Sequence, residues 1–248
     1  MEWWPEVNKV AVITAANEGI GAASARVFAQ AGYDLILNYH KSEENAHKVA
    51  QECKTYGVEV QLVKADALSE EGINKIFAAA KEYSPKIDVL INNVADTSEA
   101  NYEDLGLDDI QKVLGNGLGA LMYSTKLFSD ILNEGGSILN TSSIYGTNFG
   151  ASVGMPVYSA AKAGLINFTE WAAKKYAPTI RVNAVAPGFT RTPHWDTVDP
   201  ERAKSCIEST LLKKWVEPED IATTFLFLVN NSSITAETIV VDAGWRKK

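Results

Sequence analysis

The sequence predicts an α/β fold in which a doubly wound parallel sheet of about seven strands is flanked by helices, and three observations carry that expectation. Short apolar runs alternate with longer stretches of helical period along the 248 residues, the pattern that repeated strand–helix–strand units produce. The run at 14–21, Thr-Ala-Ala-Asn-Glu-Gly-Ile-Gly, sets two glycines where the first apolar run gives way to the first helical one, as at the first junction of a Rossmann-type sheet. No linker, internal repeat or low-complexity stretch divides the chain, so residues 1–248 are expected to form a single domain.

The expected strands are 9–14, 34–39, 59–65, 89–93, 136–141, 180–186 and 238–241. A helix is expected over 20–31, where Ile20, Ala23, Val27 and Phe28 share a face. Ser42 is a fitting N-cap for the next, because Glu43 and Glu44 in its first turn complement the helix dipole. Ser69, followed by Glu70 and Glu71, repeats the signal. Longer helices are expected over 107–132 and 157–176, and a shorter one over 219–229. The stretch 189–214, with Pro193 and Pro200, has no clear place in the sheet. A connection of that length is usually functional, and a lid over a pocket is the natural reading.

Apolar residues at 46% and charged residues at 22% are those of a globular protein. The formal charge of -8 argues against nucleic acid or an anionic membrane as the main partner. Cys53 and Cys206 form neither a metal-ligand pattern nor a disulfide framework, so a reduced chain without metal is expected. The start, Met-Glu-Trp-Trp-Pro, lacks the plan of a signal peptide, and no apolar run reaches the length of a membrane span. A cytoplasmic protein acting on a small molecule is the expectation.

Asn116, Ser143, Tyr158 and Lys162 are the candidate reacting residues. Tyr158 and Lys162 stand four apart in a helical stretch and therefore share a face, where the ammonium is expected to favour the ionised phenol. That would let a tyrosine serve as acid or base near neutral pH.

With the glycine-rich turn, these residues occur in an ordered series: Asp66-Ala67, then Ile91-Asn92-Asn93-Val94-Ala95, Asn116, Ser142-Ser143, Tyr158 with Lys162, the run Arg-Val-Asn-Ala-Val-Ala-Pro-Gly at 181–188, and Val241-Asp242-Ala243-Gly244. In this series the chain resembles the short-chain dehydrogenase/reductase family, essentially from end to end. The resemblance implies hydride transfer between a nicotinamide cofactor and a ketone, aldehyde or alcohol. In that chemistry Tyr158 gives the proton, Ser143 steadies the substrate oxygen, Lys162 also holds the nicotinamide ribose, and Asn116 holds a water in a relay to Lys162. It departs from the family at Ala15, Ala95 and Ala236, where glycine is usual, and at Val94, where alanine is usual. An alanine forced to positive φ would cost about 1 kcal/mol.

For the cofactor, the resemblance implies contacts from Thr14, Ala15, Asn17, Glu18, Gly19, Ile20 and Gly21 in the turn, and from Tyr39, His40, Lys41 and Ser42 after the second strand. Asp66 and Ala67 follow the third strand, Asn93, Val94 and Ala95 the fourth, and Pro187, Gly188, Thr190 and Thr192 the sixth, beside Tyr158 and Lys162. The run 38–42 carries no carboxylate, while Lys41, His40 and Ser42 could hold a 2′-phosphate. NADP(H) is therefore expected over NAD(H), with the Glu18 carboxylate opposing it unless it turns outward. Asp96, Ser143, Ile144, Tyr145, Phe149, Met155, Phe189 and Trp195 are expected to line the substrate pocket, which suits a largely apolar or aromatic ligand. The alternatives are a 3-oxoacyl-thioester reductase, which would need Lys126, Lys174, Lys175 or Arg191 to dock an acidic carrier, and a cofactor-binding homologue impaired in catalysis. A homotetramer is implied by the resemblance, with small residues at Gly115, Gly117, Gly119, Ala120, Ala160, Ala161, Ala163 and Gly164 permitting close helix approach; close packing within the chain is their other reading.

Overall fold

A computed structural model describes residues 8–95, 102–148 and 150–245. Seven strands form one sheet: β1 (Val10–Ile13), β2 (Asp34–Tyr39), β3 (Val60–Lys64), β4 (Ile87–Asn92), β5 (Leu132–Thr141), β6 (Ile180–Pro187) and β7 (Thr238–Val241). Their order is β3-β2-β1-β4-β5-β6-β7, with every neighbouring pair parallel. The chain leaves β1 for β2 on one side and later returns to place β4 on the other. Between β1 and β4 the connections therefore diverge, and a crevice opens at the carboxyl ends of the strands.

Both faces of the sheet are covered, which explains why its strands read as continuous apolar runs. Val10 and Val12 of β1 point into one layer, with Ile73, Ile76, Leu121, Phe128, Leu165 and Phe168. Ala11 and Ile13 point into the other, with Phe28, Val49, Cys53, Ile221, Phe225 and Leu228. Helices α3 (Glu70–Tyr83), α5 (Ala120–Phe128) and α6 (Pro156–Tyr176) thus cover the first face, and α1 (Gly19–Gln30), α2 (Glu43–Lys54) and α8 (Pro218–Asn230) the second. A Leu, Ile or Phe removed wholly from water contributes roughly 2 kcal/mol, so these two layers outweigh any helix propensity. At the far end of the sheet, Arg181 donates to the carbonyls of Leu228, Val229, Asn231 and Ile234 at 2.7–3.2 Å and caps α8.

Most boundaries shift by a residue or two, and the largest departures from expectation lie between 107 and 136. The stretch expected as one helix over 107–132 is α4 (Leu107–Leu114), a π-helical turn (Gly115–Gly119) and then α5, which stops at Phe128. Three glycines in five residues weaken the regular ladder and admit the wider turn. Leu132 belongs to β5 and pairs with Ile87, ahead of a register shift; its apolar side chain merely continues the helical period. Ser42 does occupy the N-cap of α2, but its side chain makes no capping bond, whereas the Ser69 hydroxyl accepts from the Gly72 amide at 3.0 Å. The lid stretch holds a 3-10 turn (Pro193–Thr197) and α7 (Pro200–Glu208), whose N-cap Asp199 accepts from the Arg202 amide. Among the described residues, no helix is long and apolar enough to cross a membrane.

Of the three alanines that replace glycine, Ala15 (φ 51°) and Ala236 (φ 64°) occupy the left-handed region and Ala95 does not. Ala15 is held there by its neighbours: its amide donates to Asn38 Oδ1 at 3.2 Å and its carbonyl accepts from Asn93 Nδ2 at 3.3 Å. Replacing Ala15 by Gly should relieve the Cβ strain and raise stability by about 1 kcal/mol. Urea unfolding without cofactor would read this as a higher midpoint at unchanged slope; an unchanged or lower midpoint would show that the turn is not strained.

Candidate active site

The turn after β1 folds back on α1 only because of its glycines. A Cβ at Gly21 would stand 2.1 Å from the Ala15 carbonyl oxygen, and Gly19 has φ +52°. Glu18 is the N-cap of α1, and no side chain caps the first-turn N–H groups, which leaves the positive end of the helix dipole at the crevice. Asn93 fixes the turn in place. Its amide nitrogen Nδ2 donates to the Thr14 carbonyl at 3.2 Å, its backbone N–H donates to Thr14 Oγ1 at 2.9 Å, and its Oδ1 accepts from Thr141 Oγ1 at 3.2 Å. The tips of β1, β4 and β5 are thereby tied together.

Ser143, Tyr158 and Lys162, the candidate reacting residues, come together where β5 meets α6. Ser143 caps a 3-10 turn (Ile144–Gly146), its hydroxyl oxygen accepting from the Tyr145 amide at 3.1 Å. That turn lies directly on α6: a Cβ at Gly146 would stand 2.5 Å from the Lys162 carbonyl carbon, and Ser142 Oγ donates to the Lys162 carbonyl at 3.0 Å. Pro156 starts α6 at a position that needs no N–H. Tyr158 and Lys162 then follow one turn apart on the same face. Asn116 lies in the π-helical turn, which packs on α6 with Gly117 facing Ala161; Asn116 does not itself line the main cleft.

Lys162 is only 1% exposed. Its ammonium donates to the Thr141 carbonyl at 2.7 Å, and burial brings its pKa down to about 8. The expectation that this ammonium lowers the Tyr158 pKa is not met. The phenol is pushed up to about 12, because burial penalises the phenolate and Tyr145 adds to that, while a hydrogen bond from the Ser143 hydroxyl pulls the other way. Nζ lies 5.6 Å from the Tyr158 ring centroid and is directed to the Thr141 carbonyl. Spacing brought the two groups together; burial decided the sign.

A cleft of about 640 Å³ opens at this point. Of the candidate residues, Glu18, Ile20, Asn93, Ala95, Ser143, Ile144, Tyr145, Met155, Tyr158, Lys162, Pro187, Gly188, Phe189, Thr190, Thr192 and Trp195 line it. Pro193, His194, Thr197 and Arg202, in the stretch 189–214, line it too; nothing in a proline-broken stretch says which side faces inward. The remaining turn residues and Tyr39, His40, Lys41, Ser42 and Asp66 lie along the same edge beyond the cleft lining. Tyr39 is buried, His40 and Lys41 are exposed, and His40 Nδ1 stands 3.9 Å from Asp66 Oδ1. Ala67 and Val94 instead turn into the core layer under α3 and α5. Asp96 and Phe149 lie outside the described residues. Among those described, no cluster of His, Cys, Asp or Glu could hold a metal ion.

Sequence reasoning also missed two rings. Trp245 stands 6.0 Å from both Tyr145 and Phe189, and Trp215 stands 4.6 Å from Trp195. The turn with a glycine-only contact, a helix start facing a crevice, and a pocket alongside the tyrosine–lysine pair fit a dinucleotide with its pyrophosphate at α1 and its nicotinamide beside Tyr158.

Burial of Lys162 has a consequence for stability. Folded Lys162 releases its proton near pH 8, whereas its ordinary value is 10.5. Between these values the unfolded chain binds more protons, so this group makes stability rise with pH. Tyr158, raised from 10.0 to about 12, acts in the opposite sense above pH 10. Urea midpoints of Lys162→Met and the parent should therefore converge between about pH 8 and 10, the variant being the more stable of the two at neutral pH. Parallel curves would mean that Lys162 titrates normally.

The family model described as "Enoyl-(Acyl carrier protein) reductase" matches residues 14–246. The chain is 38% identical over 242 residues to the 3-oxoacyl-(acyl-carrier-protein) reductase of Aquifex aeolicus, covering 95% of this chain and 96% of that one. It is 35% identical over 248 residues to the 7alpha-hydroxysteroid dehydrogenase of Bacteroides fragilis, with 96% and 94% covered. Its structure superposes with a TM-score of 0.89 on a short-chain dehydrogenase from Burkholderia cenocepacia J2315 in complex with NADP, at 30% identity and with 95% and 97% covered. The ordered motifs, the sheet with its crevice and these end-to-end matches agree: the chain belongs to the short-chain dehydrogenase/reductase family.

Proposed function

We propose that the protein interconverts a small-molecule ketone or aldehyde and the corresponding alcohol with NADP(H), and that Tyr158 is the proton donor. The observation that carries this is the set of buried Ser143, half-buried Tyr158 and buried Lys162 along the cleft. When bound, the nicotinamide supplies the hydride. The chain's own part is to hold and deliver the proton. A phenol raised to about 12 keeps its proton at neutral pH and gives it up only to a stronger base, such as an alkoxide forming beside it. The Ser143 hydroxyl, hydrogen-bonded with Tyr158, carries one proton and is placed to turn it to the substrate oxygen. Lys162, held by the Thr141 carbonyl, keeps a positive charge beneath the site, and Asn116 in the π-helical turn supports a water-borne path to it. Residues 189–214 act as the lid.

For the cofactor, exposed Lys41 and His40 beyond β2, with no carboxylate between 38 and 42, favour the 2′-phosphate of NADP(H). The relative bound to NADP supports the same choice. A second reading, reduction of a 3-oxoacyl thioester, is favoured by the relative of that name, and Lys126, Lys174, Lys175 and Arg191 are all exposed for a carrier to reach. The charge of -8 weighs against an acidic carrier as partner. The cytoplasm is the proposed location.

The assembly is proposed to be a homotetramer. Met122 on α5, Trp171 on α6, Phe227 on α8 and Val240 on β7 are large apolar side chains left exposed, and two isologous contacts would generate dihedral symmetry. Gly117 and Gly164 serve contacts inside the chain, with Ala161 and Leu118, while Ala160 and Ala163 face outward. Sedimentation equilibrium should show a tetramer; a fully active monomer would refute the assembly.

Two measurements test the chemistry. NADPH oxidation with a panel of ketones, aldehydes and 3-oxoacyl thioesters should show turnover that falls at least about a hundredfold in Tyr158→Phe, the scale of general acid catalysis, while NADPH still binds. Near-normal turnover in that variant would remove Tyr158 from its role. Lys41→Ala should weaken NADPH by about tenfold and NADH hardly at all, since only one of them carries the phosphate. Equal affinity of the parent protein for both cofactors would count against the NADP(H) assignment.

A further inference from the structure

The cleft is walled on the substrate side by Tyr145, Phe189 and Trp195, and behind two of these rings stands Trp245, which does not itself line the cleft. Tyr145, Phe189 and Trp245 form a closed triangle of edge-to-face contacts, with centroids 6.0, 6.0 and 6.4 Å apart and planes 74–84° to one another. Each ring in such a set fixes the tilt of the others. Tyr145 in turn stands edge-on to Tyr158 at 6.5 Å, and Phe189 edge-on to Trp195 at 5.8 Å. Trp245 therefore touches the wall from both the reacting side and the lid side.

The backbone around Trp245 is equally fixed. The Trp245 amide donates to the Asp242 carbonyl at 3.0 Å, and the Gly244 amide donates to Asp242 Oδ1 at 2.8 Å. The amides of Leu211 and Leu212, where the lid ends, donate to the carbonyls of Gly244 and Ala243 at 3.2 and 3.0 Å. Gly244 has φ +75°, and a Cβ there would stand 2.8 Å from Leu211 Cβ. One turn thus fastens the end of the lid and aims the indole.

We propose that Trp245 is a positioning residue that sets substrate choice, holding Tyr145 and Phe189 as fixed flat walls that accept a ketone whose carbonyl is part of a ring in preference to one in an open chain. The proposal rests on the reading of the cleft as a carbonyl-reductase site. A rigid ring loses little freedom on lying against a wall of fixed aromatic rings, whereas an open chain must give up several rotors to lie in the same space. Among the described lining residues, Met155 is the long apolar side chain without a branch or ring.

The test compares six- to ten-carbon cyclic ketones with open-chain ketones of equal carbon number, in the parent protein, Trp245→Ala and Trp245→Phe. Binding is followed by calorimetry on the protein loaded with NADP+, and turnover by NADPH oxidation. The parent should bind the cyclic member at least tenfold more tightly. Trp245→Ala should lose that preference through KM, with kcat for the smallest ketone and the affinity for NADPH unchanged, and Trp245→Phe should restore most of it. An unchanged cyclic-to-open ratio in Trp245→Ala, or a parent that prefers the open chain, overturns the proposal; so does a ratio that Phe at this position fails to recover. A cyclic preference in binding without any turnover would overturn the reductase reading and leave the role of Trp245 standing.

Discussion

The bond from the Lys162 ammonium to the Thr141 carbonyl joins the chemistry of this protein to its fold. An ammonium removed from water costs several kcal/mol unless it is compensated, and here one strand-end carbonyl at 2.7 Å receives it. That carbonyl is available because β5 ends at Thr141, at the carboxyl edge of the sheet. The helix bearing Lys162 can reach it because Gly146 and Ser142 let the intervening turn lie against the Lys162 backbone. The charge survives near neutral pH with a pKa of about 8. A deeper or less well-bonded position would neutralise it, and a wetter one would leave the neighbouring phenol less perturbed.

A parallel sheet leaves unmatched backbone groups at the ends of its strands, and asparagines supply much of what closes this edge. Asn38 donates to the Val63 and Ala65 carbonyls and accepts from the Ala15 amide, which binds β2 to β3 and to the turn after β1. Asn92 and Asn140 bond to each other at 3.0 Å and reach Ser124, Thr125 and Thr169 on α5 and α6. Each buried amide left without a partner would cost about 1–3 kcal/mol, so these networks fix which helix sits over which strand. The left-handed Ala15 is tolerable on the same ground, because bonds on both sides over-determine its conformation.

What could be read from the sequence follows from this construction. Strands buried on both faces announce themselves as apolar runs, and 34–39 and 238–241 match β2 and β7 residue for residue. The tyrosine–lysine spacing places both groups on one helical face in any helix that contains them. Periodicity fails where two elements adjoin without a polar break: Ile131 and Leu132 extend the apolar rhythm of α5, yet Leu132 is already in β5. It is also silent on burial, and burial sets the Tyr158 phenol at about 12 where proximity to a cation alone suggested the reverse. Trp245 has no signal of its own, since it follows the last strand and meets Tyr145, a hundred positions earlier in the chain, only after folding.

Chemistry and selection are consequently carried by different parts of the molecule. Tyr158 and Lys162 stand on α6 and Ser143 at the end of β5, elements packed against the core and cross-linked by buried amides, so that their geometry is set by the fold itself. The aromatic rings along the cleft stand on the segments after β5, β6 and β7 and meet one another edge-to-face. Substitutions in the second set can reshape the cleft without touching the Lys162–Thr141 bond. The turn at 242–245 belongs to both, because Gly188 pairs with Val241 at the end of the sheet while Leu211 and Leu212 hang the end of the lid from the residues that follow. The stretch 189–214 is thereby joined through Trp245 to the wall beside Tyr158.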